Sequence, residues 1–328
     1  MDLSTTYLGL KLAHPFVPGA SPLSDDIDMA RRLEDAGAPA IVMRSLFEEQ
    51  IARERVSAFV HTHVRGHSFA EALTSYPAPE KLVFEPEEYL EHLGRLKAAL
   101  SIPVIASLNG TAPGGWLDYP PLMEKMGADA LELNLYNLVF DTSLDSVEAE
   151  KVFLDVVGEV RKMVRIPLAV KISPFFSSLA HFAGGLEAAG ADGLVLFNRF
   201  YEPDVEDPTG PRMHLSSHAE LSLRLRWTSI LAGRLRVSLA VTGGVYRAID
   251  GVKAVLAGAH AAQVVSCLLM NGPEYLWTLR RGMERWMEER GWDSVAEMRG
   301  TLSLRHCPDP AAYERANYML ALQGHGAK

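Results

Sequence analysis

The chain has 328 residues, of which 48% are hydrophobic and 22% are charged, which is the composition of an ordinary water-soluble protein. It carries 32 basic and 41 acidic residues and a net charge of −9, and no basic stripe runs along it, so we expect no nucleic-acid partner. The N-terminus lacks a signal-peptide pattern and no run of about 18 apolar residues follows, so we expect neither secretion nor a membrane partner. Two cysteines, Cys267 and Cys307, are too few for a disulfide scaffold and favour a cytoplasmic location.

A pattern made of a helix end, Gly-Ala and a short apolar run recurs four times along the chain. A glycine just past a helix supplies a left-handed cap, and a run of five or six apolar residues is typical of a strand buried on both faces. Each copy therefore predicts a joint between a helix and a strand. The intervals of 63 (190 − 127) and 68 (258 − 190) residues each correspond to two βα units. The repeated glycines are Gly37, Gly127, Gly190 and Gly258.

Eight strands are predicted in all, and eight parallel strands that alternate with helices close an α/β fold of the (β/α)8 TIM-barrel type. No linker divides the chain, so we expect one domain over residues 1–328, with an insertion at 46–80 after the second strand. A long loop at 200–217 follows the sixth strand, and 275–328 is expected to form a C-terminal helical extension. An open doubly wound sheet needs a glycine-rich turn after its first strand, which this sequence lacks. The predicted strands are 16–20, 39–44, 103–108, 129–134, 167–172, 192–197, 237–242 and 261–266.

Polar residues follow the predicted strands, and the carboxyl ends of barrel strands form the catalytic face. The set is rich in amides and hydroxyls and lacks paired carboxylates, which argues against a glycosidase. His61, His63 and His67 lack a nearby carboxylate or cysteine, so we expect no metal site. The strand-end residues are Ser21, Arg44, Ser45, Ser107, Asn109, Asn134, Lys171, Ser173, Asn198, Arg199, Gly243, Gly244, Ser266 and Cys267.

The turns after the last two strands have the composition of a phosphate site. Gly243 and Gly244 follow the seventh strand, and Ser266 and Cys267 follow the eighth. Glycine lets backbone N–H groups approach a phosphate closely, and barrels often bind phosphate at these two turns. The alternative for the glycine pair is an ordinary βα turn. We expect the side chain of Cys267 to pack as a small buried residue beside the phosphate and not to act as a nucleophile.

Lys171 lies within the apolar run Ala-Val-Lys-Ile-Ser of the fifth strand. Burial of a lysine is costly unless it faces an anion, and the N1–C2=O edge of a flavin gains negative charge on reduction. The alternative is a lysine whose stem is buried and whose charged end reaches water at the strand end. Asn134 and Asn198, at two further strand ends, have amides that suit a planar heterocycle.

These motifs together resemble the family of FMN-dependent dihydroorotate dehydrogenases and dihydropyrimidine dehydrogenases. The opening segment 7–21, the Glu132-Leu133-Asn134 motif and the glycine pair occur in the family's order over residues 3–275. The resemblance implies a barrel that binds FMN and oxidises a CH–CH bond of a small planar heterocycle. The cofactor-binding residues it predicts, together with those at matching strand ends, are Ala20, Ser21, Arg44, Ser45, Asn109, Asn134, Lys171, Asn198, Gly243, Gly244, Ser266 and Cys267.

The loop after the fourth strand departs from the family pattern. Dihydroorotate dehydrogenases carry Asn-x-Ser-Cys/Ser-Pro-Asn there, with the Cys or Ser as base, whereas this chain has Asn-Leu-Tyr-Asn-Leu-Val-Phe-Asp-Thr-Ser. Tyr136, Asp141 and Ser143 are candidate proton donors or acceptors, each with the alternative of a structural loop residue. We take Lys171, Tyr136 and Ser143 as the candidate catalytic residues.

Two other functions fit parts of the sequence. A non-redox phosphate-binding barrel, such as an aldolase, would use Lys171 as a Schiff base. A flavoprotein with a binding role and no dehydrogenase activity would account for the missing base. If the chain is a dehydrogenase, the sequence supplies no iron–sulfur motif, so its electron acceptor is a soluble molecule or a partner subunit. A homo-oligomer is the other possible assembly.

Overall fold

A computed structural model of the protein describes residues 1–53, 84–199 and 215–323. Most of the predicted insertion, residues 54–80, lies outside the described residues, and so do residues 200–214 of the predicted loop. The predictions for those segments, including the three histidines of the insertion, therefore stay predictions.

Eight parallel strands form the barrel. Their hydrogen-bonded order is β3-β11-β10-β9-β8-β7-β6-β4, and β3 lies against β4, so the sheet is nearly closed. Strand β5 adds to the edge of β6, while β1 and β2 form a separate antiparallel hairpin. The strands of the described residues are β1 (Thr5–Tyr7), β2 (Leu10–Leu12), β3 (Phe16–Pro18), β4 (Ile41–Val42), β5 (Leu46–Phe47), β6 (Val104–Asn109), β7 (Ala130–Asn134), β8 (Leu168–Ile172), β9 (Gly193–Leu196), β10 (Ser238–Thr242) and β11 (Ala261–Val264).

The predicted TIM barrel is confirmed. All eight predicted strands occur, each within about two residues of its expected start, although several are shorter than expected. The four repeated glycines have φ values of +92°, +95°, +105° and +117°, which is the left-handed conformation expected just past a helix. The predicted insertion was expected to begin at residue 46, but Leu46 and Phe47 form β5 and pair with β6.

Helices alternate with the barrel strands and cover their outer face. Each amphipathic helix buries one apolar side against the sheet, as Leu93 and Leu96 do from α2. The helices of the described residues are α1 (Ile27–Asp35), α2 (Pro86–Ala99), α3 (Tyr119–Lys125), α4 (Ser146–Met163), α5 (Leu179–Ala188), α6 (Leu221–Leu231), α7 (Ala248–Ala257), α8 (Ser266–Asn271), α9 (Tyr275–Arg290), α10 (Val295–Met298) and α11 (Pro310–Gln323).

The segment expected to be a C-terminal extension has two parts. Helix α9 packs against α7 and β3, so it belongs to the ring of helices around the barrel. Helix α11 has no buried residue, and Glu314 in it pairs with Arg226 of α6 at 2.5 Å. No helix among the described residues is long and apolar enough to cross a membrane.

The hairpin β1–β2 fills one end of the barrel. Its turn is formed by Leu8 and Gly9, both with positive φ, and its Tyr7, Leu8 and Leu12 are buried among the interior side chains of the strands. This end must be plugged because many interior side chains there are small. These small residues are Ala40, Ala130, Ala169, Ala240 and Ala261.

Candidate active site

The polar end of the barrel is built by strands that change from apolar to polar side chains as they approach their carboxyl ends. On β7, Ala130, Glu132 and Asn134 alternate with leucines, so all three face the same way. The leucines belong to the core under the helices, whereas Ala130 belongs to the barrel interior, so Glu132 and Asn134 also point inward. The parallel ladders set Asn134 opposite Asn109 of β6 and Lys171 of β8.

Lys171 is buried and pairs with a carboxylate. Its Nζ lies 3.3 Å from Oε1 of Glu132, and the two residues are 8% and 1% exposed. Nε2 of Gln263 donates to the other oxygen of Glu132 at 2.5 Å. The sequence indicates an anion facing Lys171, and in the structure the carboxylate of Glu132 supplies that negative charge.

The amides of Asn134 and Asn198 meet at the top of the barrel. Nδ2 of Asn198 donates to Oδ1 of Asn134 at 2.8 Å, which joins the strand ends of β7 and β9. Asn134 is buried and Asn198 is half-buried. Each amide retains one further polar atom, so the pair can hold a planar polar ring at this level.

The ends of the first two barrel strands bring together four of the predicted residues. Ala20 is half-buried, and Oγ of Ser21 is buried without a hydrogen-bond partner among the described residues. The hydroxyl of Ser45 lies 2.7 Å from that of Ser107. Arg44 differs from the others, because its guanidinium makes two bonds to Asp25, at 3.0 and 2.6 Å.

The turn after β10 forms a narrow cradle. Gly243 and Gly244 have φ values of +88° and +81°, and a Cβ added to Gly244 would lie 2.7 Å from the backbone N of Leu221. The backbone N–H of Gly244 donates to Oγ of Ser216 at 3.2 Å, and that hydroxyl lies 2.9 Å from Oγ of Ser266. N–H groups and hydroxyls therefore converge where the sequence predicts a phosphate.

A buried arginine supports this cradle. Arg224 of α6 donates from Nε to the carbonyl of Thr242 at 2.9 Å and pairs with Glu220 at 3.0 Å. A Cβ added to Gly243 would lie 3.1 Å from the Arg224 guanidinium. Burial lowers the pKa of Arg224 from its ordinary value, while the charge of Glu220 opposes that shift. The guanidinium, whose charge is offset by Glu220, thus ties α6 to the glycine turn through the carbonyl of Thr242.

Cys267 is fully buried beside this cradle. Burial raises the pKa of its thiol to about 12, so the thiolate is not formed near neutral pH. The structure therefore gives this side chain a packing environment, and it leaves the backbone as the part of Cys267 that can face a ligand.

The loop between β7 and α4 carries the candidate proton-transfer residues. Tyr136 is half-buried, whereas Asp141 and Ser143 are exposed. Both the N–H and the hydroxyl of Ser143 donate to Oδ1 of Asp141, at 2.8 and 2.7 Å, and these bonds lower the pKa of Asp141. Asp145 ends the loop, because its side chain accepts from the N–H of Glu148 and caps α4.

A further carboxyl lies at the rim of the barrel. Glu48 follows β5, and its Oε1 accepts from the N–H and the hydroxyl of Thr111, at 3.2 and 2.7 Å. Burial raises the pKa of Glu48. This carboxyl fixes the turn after β6, next to Asn109.

The site includes four residues for which the sequence indicated no functional role: Glu132, Gln263, Ser216 and Arg224. The first two carry a readable signal, since each is a polar residue inside an apolar strand, as Lys171 is. Ser216 and Arg224 carry none, because nothing near them in the sequence indicates that they approach the glycine turn.

A model of the dihydroorotate dehydrogenase family matches residues 82–287, which is more than half of the chain. The chain belongs to this family. Its relatives include a putative dihydroorotate dehydrogenase A (fumarate) of Aeropyrum pernix, 28% identical over 91% of this chain and 97% of that protein. The catalytic subunit of dihydroorotate dehydrogenase B (NAD(+)) of Thermoplasma volcanium is 25% identical, over 91% of this chain and 98% of the relative.

A third relative, the NAD-dependent dihydropyrimidine dehydrogenase subunit PreA of Escherichia coli, is 24% identical over 91% of this chain and 76% of its own length. The resemblance seen in the sequence is thereby confirmed. The protein is a dihydroorotate dehydrogenase-like oxidoreductase that acts on CH–CH groups.

Proposed function

We propose that this dihydroorotate dehydrogenase family member binds FMN at the polar end of its barrel and oxidises or reduces a CH–CH bond in a small planar heterocycle. The observation that carries the proposal is a site with two chemically different ends inside one barrel mouth. One end is the glycine cradle with its hydroxyls, and the other is the buried Lys171 with the two asparagines.

The end of the site with the glycine cradle fits the phosphate of FMN. Ser216, Ser266 and the backbone of Gly243 and Gly244 offer small, hydrogen-bonding groups, and the left-handed turn leaves no room for a Cβ at Gly244. A phosphate monoester is bound by this kind of donor set in barrels. Arg224 beneath the turn is paired with Glu220, so the N–H groups and hydroxyls of the cradle, rather than a free cation, would hold the phosphate.

The end of the site with Lys171 and the two asparagines fits the flavin ring. Two buried polar atoms, Oγ of Ser21 and Oε1 of Gln263, have no hydrogen-bond partner among the described residues, which is costly unless a ligand or water satisfies them. A Cβ added to Gly19 would lie 3.2 Å from Oε1 of Gln263, so that oxygen lies beside the segment 19–21. Ala20 and Ser21 would contact the flavin ring, with Asn109, Asn134 and Asn198 as polar contacts along its edge and Ser45 beside them.

FMN, when bound, supplies hydride transfer. The ammonium of Lys171 would hold the electron-rich edge of the ring, while Arg44 positions the rim through Asp25. The loop after β7 would exchange a proton with the substrate, and the hydroxyls of Tyr136 and Ser143 are the candidate donors or acceptors. Tyr136 is the more enclosed of the two, and enclosure keeps water from competing for the proton.

The names of the relatives support a dihydropyrimidine ring as the substrate class, and two of them are described as subunits. We therefore expect an enzyme that passes electrons to a soluble acceptor or a partner subunit. As the sequence suggests, we also expect one FMN-binding domain over 1–328 and a cytoplasmic location. A flavoprotein with a binding role is the second candidate, and the departure of the loop after β7 from the family pattern is what favours it. A Schiff-base aldolase has less support, since the relatives are dehydrogenases and Nζ of Lys171 is paired with Glu132.

An absorption spectrum of the purified protein, with identification of the released chromophore, tests FMN binding. A yellow protein that releases FMN is expected, and a colourless protein that takes up no added FMN would contradict the proposal. Stopped-flow reduction by dihydroorotate, dihydrouracil and NAD(P)H then tests the reaction, and bound flavin that none of them reduces would favour the binding role. Borohydride trapping at Lys171 of a colourless protein would support the aldolase.

A further inference from the structure

Glu132 and Gln263 form a brace that crosses the barrel and holds Lys171. Glu132 lies on β7 and Gln263 on β11, which are four positions apart in the ring of eight strands and therefore face each other across the interior. The two side chains meet in this interior, where Nε2 of Gln263 donates to Oε2 of Glu132 at 2.5 Å. The other oxygen of Glu132 lies 3.3 Å from Nζ of Lys171.

The orientation of the Gln263 amide follows from the chemistry of its partner. A carboxylate only accepts hydrogen bonds, so the NH2 group of Gln263 must face Glu132 and its oxygen must point away. That oxygen is the buried, unpartnered atom beside Gly19. The brace therefore connects Lys171, through two fully buried side chains, to the segment where the flavin ring is proposed to lie.

Packing alone does not explain why Lys171 and Glu132 form a buried ion pair. Burying a carboxylate and an ammonium costs several kcal/mol per ion, and apolar residues of similar volume often pack equally well. The pair nevertheless lies directly below the strand ends that form the site. Its electrostatic effect is that the negative charge of Glu132 offsets part of the positive charge that Lys171 presents to a ligand.

We propose that Glu132, held by Gln263 from the opposite wall, is a positioning residue that fixes Lys171 and lowers the reduction potential of bound FMN. This inference rests on the proposed function. Two-electron reduction adds negative charge to the ring, and a cation facing the ring stabilises that charge. Because Glu132 offsets the cation, it keeps the reduced form from being over-stabilised, so electrons can pass on to an acceptor.

The test is the midpoint potential of the FMN-loaded protein, measured by spectroscopic redox titration. Glu132→Gln keeps the shape and removes the charge, so the ratio of affinities for reduced and oxidised FMN should rise about tenfold, a positive shift of about 30 mV for a two-electron couple. Glu132→Asp keeps the charge and should stay closer to the wild type. Glu187→Gln is the control, because Glu187 accepts from the N–H of Arg236 ahead of β10, at the opposite end of the barrel.

If Glu132 only filled space, Glu132→Asp would change the potential more than Glu132→Gln, because Asp shortens the side chain whereas Gln does not. An unchanged potential in Glu132→Gln would overturn the inference. If Glu132→Gln does not fold, the double variant Lys171→Gln/Glu132→Gln has no charge in the brace. Its potential should exceed that of Lys171→Gln alone when both are measured at about pH 9–10, where a buried carboxyl that has lost its cation is again ionised, and equal potentials there would also overturn the inference. Failure of the wild type to bind FMN would instead refute the proposed function.

Discussion

At the scale of single residues, burial decides which groups can react. Lys171 and Cys267 are both buried near the proposed ligand, but Lys171 has a charged partner and Cys267 has none among its described contacts. Ser143 is exposed and tied to Asp141, whereas Tyr136 is half-buried on the same loop. Residues that all lie near the carboxyl ends of the strands thus differ widely in chemistry.

The thiol of Cys267 should be unreactive in the native protein. Its pKa is raised from 9.0 to about 12 by burial, so its thiolate fraction at pH 8 should be about a thousandfold lower than that of an ordinary thiol. Mass spectrometry after brief treatment with iodoacetamide should show label on the half-buried Cys307 and none on Cys267. Both should be labelled in denaturant, and native labelling of Cys267 would show that its environment is open.

At the scale of elements, the turn between β10 and α7 combines a conformational and a steric requirement. Its two glycines have left-handed φ values, and the start of α6 packs directly on Gly244. The cradle therefore depends on a contact between two elements and cannot tolerate a side chain.

Gly244→Ala should destabilise the protein by about 1–3 kcal/mol and weaken FMN binding, because a Cβ would clash with the backbone N of Leu221 at 2.7 Å. The matched control is Gly158→Ala inside α4, where an added Cβ meets nothing within 4 Å and φ is not left-handed. That change should stabilise by about 0.5–1 kcal/mol. Urea unfolding and FMN titration measure both effects, and equal behaviour of the two variants would contradict the steric argument.

For the molecule as a whole, the N-terminal hairpin fills one end of the barrel. Tyr7 and Leu8 are buried among the small interior residues of the strands, and a Cβ added to Gly193 of β9 would lie 2.5 Å from Leu8. Tyr7→Ala should cost about 3–5 kcal/mol of unfolding free energy, since it leaves a cavity that rigid strands cannot fill. Phe140→Ala is the comparison, because Phe140 is 84% exposed, and its unfolding midpoint in urea should not change. A loss below about 1 kcal/mol for Tyr7→Ala would mean that the hairpin is dispensable.

The barrel should lose stability in mild acid through two histidines. Burial lowers the pKa of both His14 and His260 from 6.5 to about 4. Nδ1 of His14 accepts from the N–H of Phe16 at 3.2 Å, and Nδ1 of His260 accepts from the N–H of Leu239 at 3.0 Å, so protonation opposes both contacts. The unfolded chain binds these protons first, below pH 6.5, so stability is full above that pH and falls as the pH drops towards 4.

Each histidine should account for a loss of up to about 3 kcal/mol between pH 6.5 and pH 4. Urea unfolding at several pH values measures this slope. His14→Gln should have a shallower slope, whereas substitution of the exposed His181 should leave the slope unchanged. A flat stability profile in the wild type between pH 7 and pH 4 would contradict the assignment.

The barrel, and the end of it that carries the site, could be predicted from local sequence patterns. The repeated glycine caps and the apolar runs are local patterns, and the carboxyl ends of parallel strands necessarily meet on one face, so Asn134, Lys171 and Gly243 could be placed there from the sequence. Family membership was also readable, because the motifs occur in a fixed order along the chain.

The groups that those residues face became apparent only in the folded chain. The partner of Lys171 is Glu132, which is held by Gln263 from the opposite wall of the barrel, and the cradle receives Ser216 and Arg224 from a different connection. The N-terminal hairpin also packs on strands far along the chain, since Leu8 lies against Gly193 of β9. Such contacts join positions distant in sequence, and local periodicity carries no information about them, because they depend on how the sheet closes.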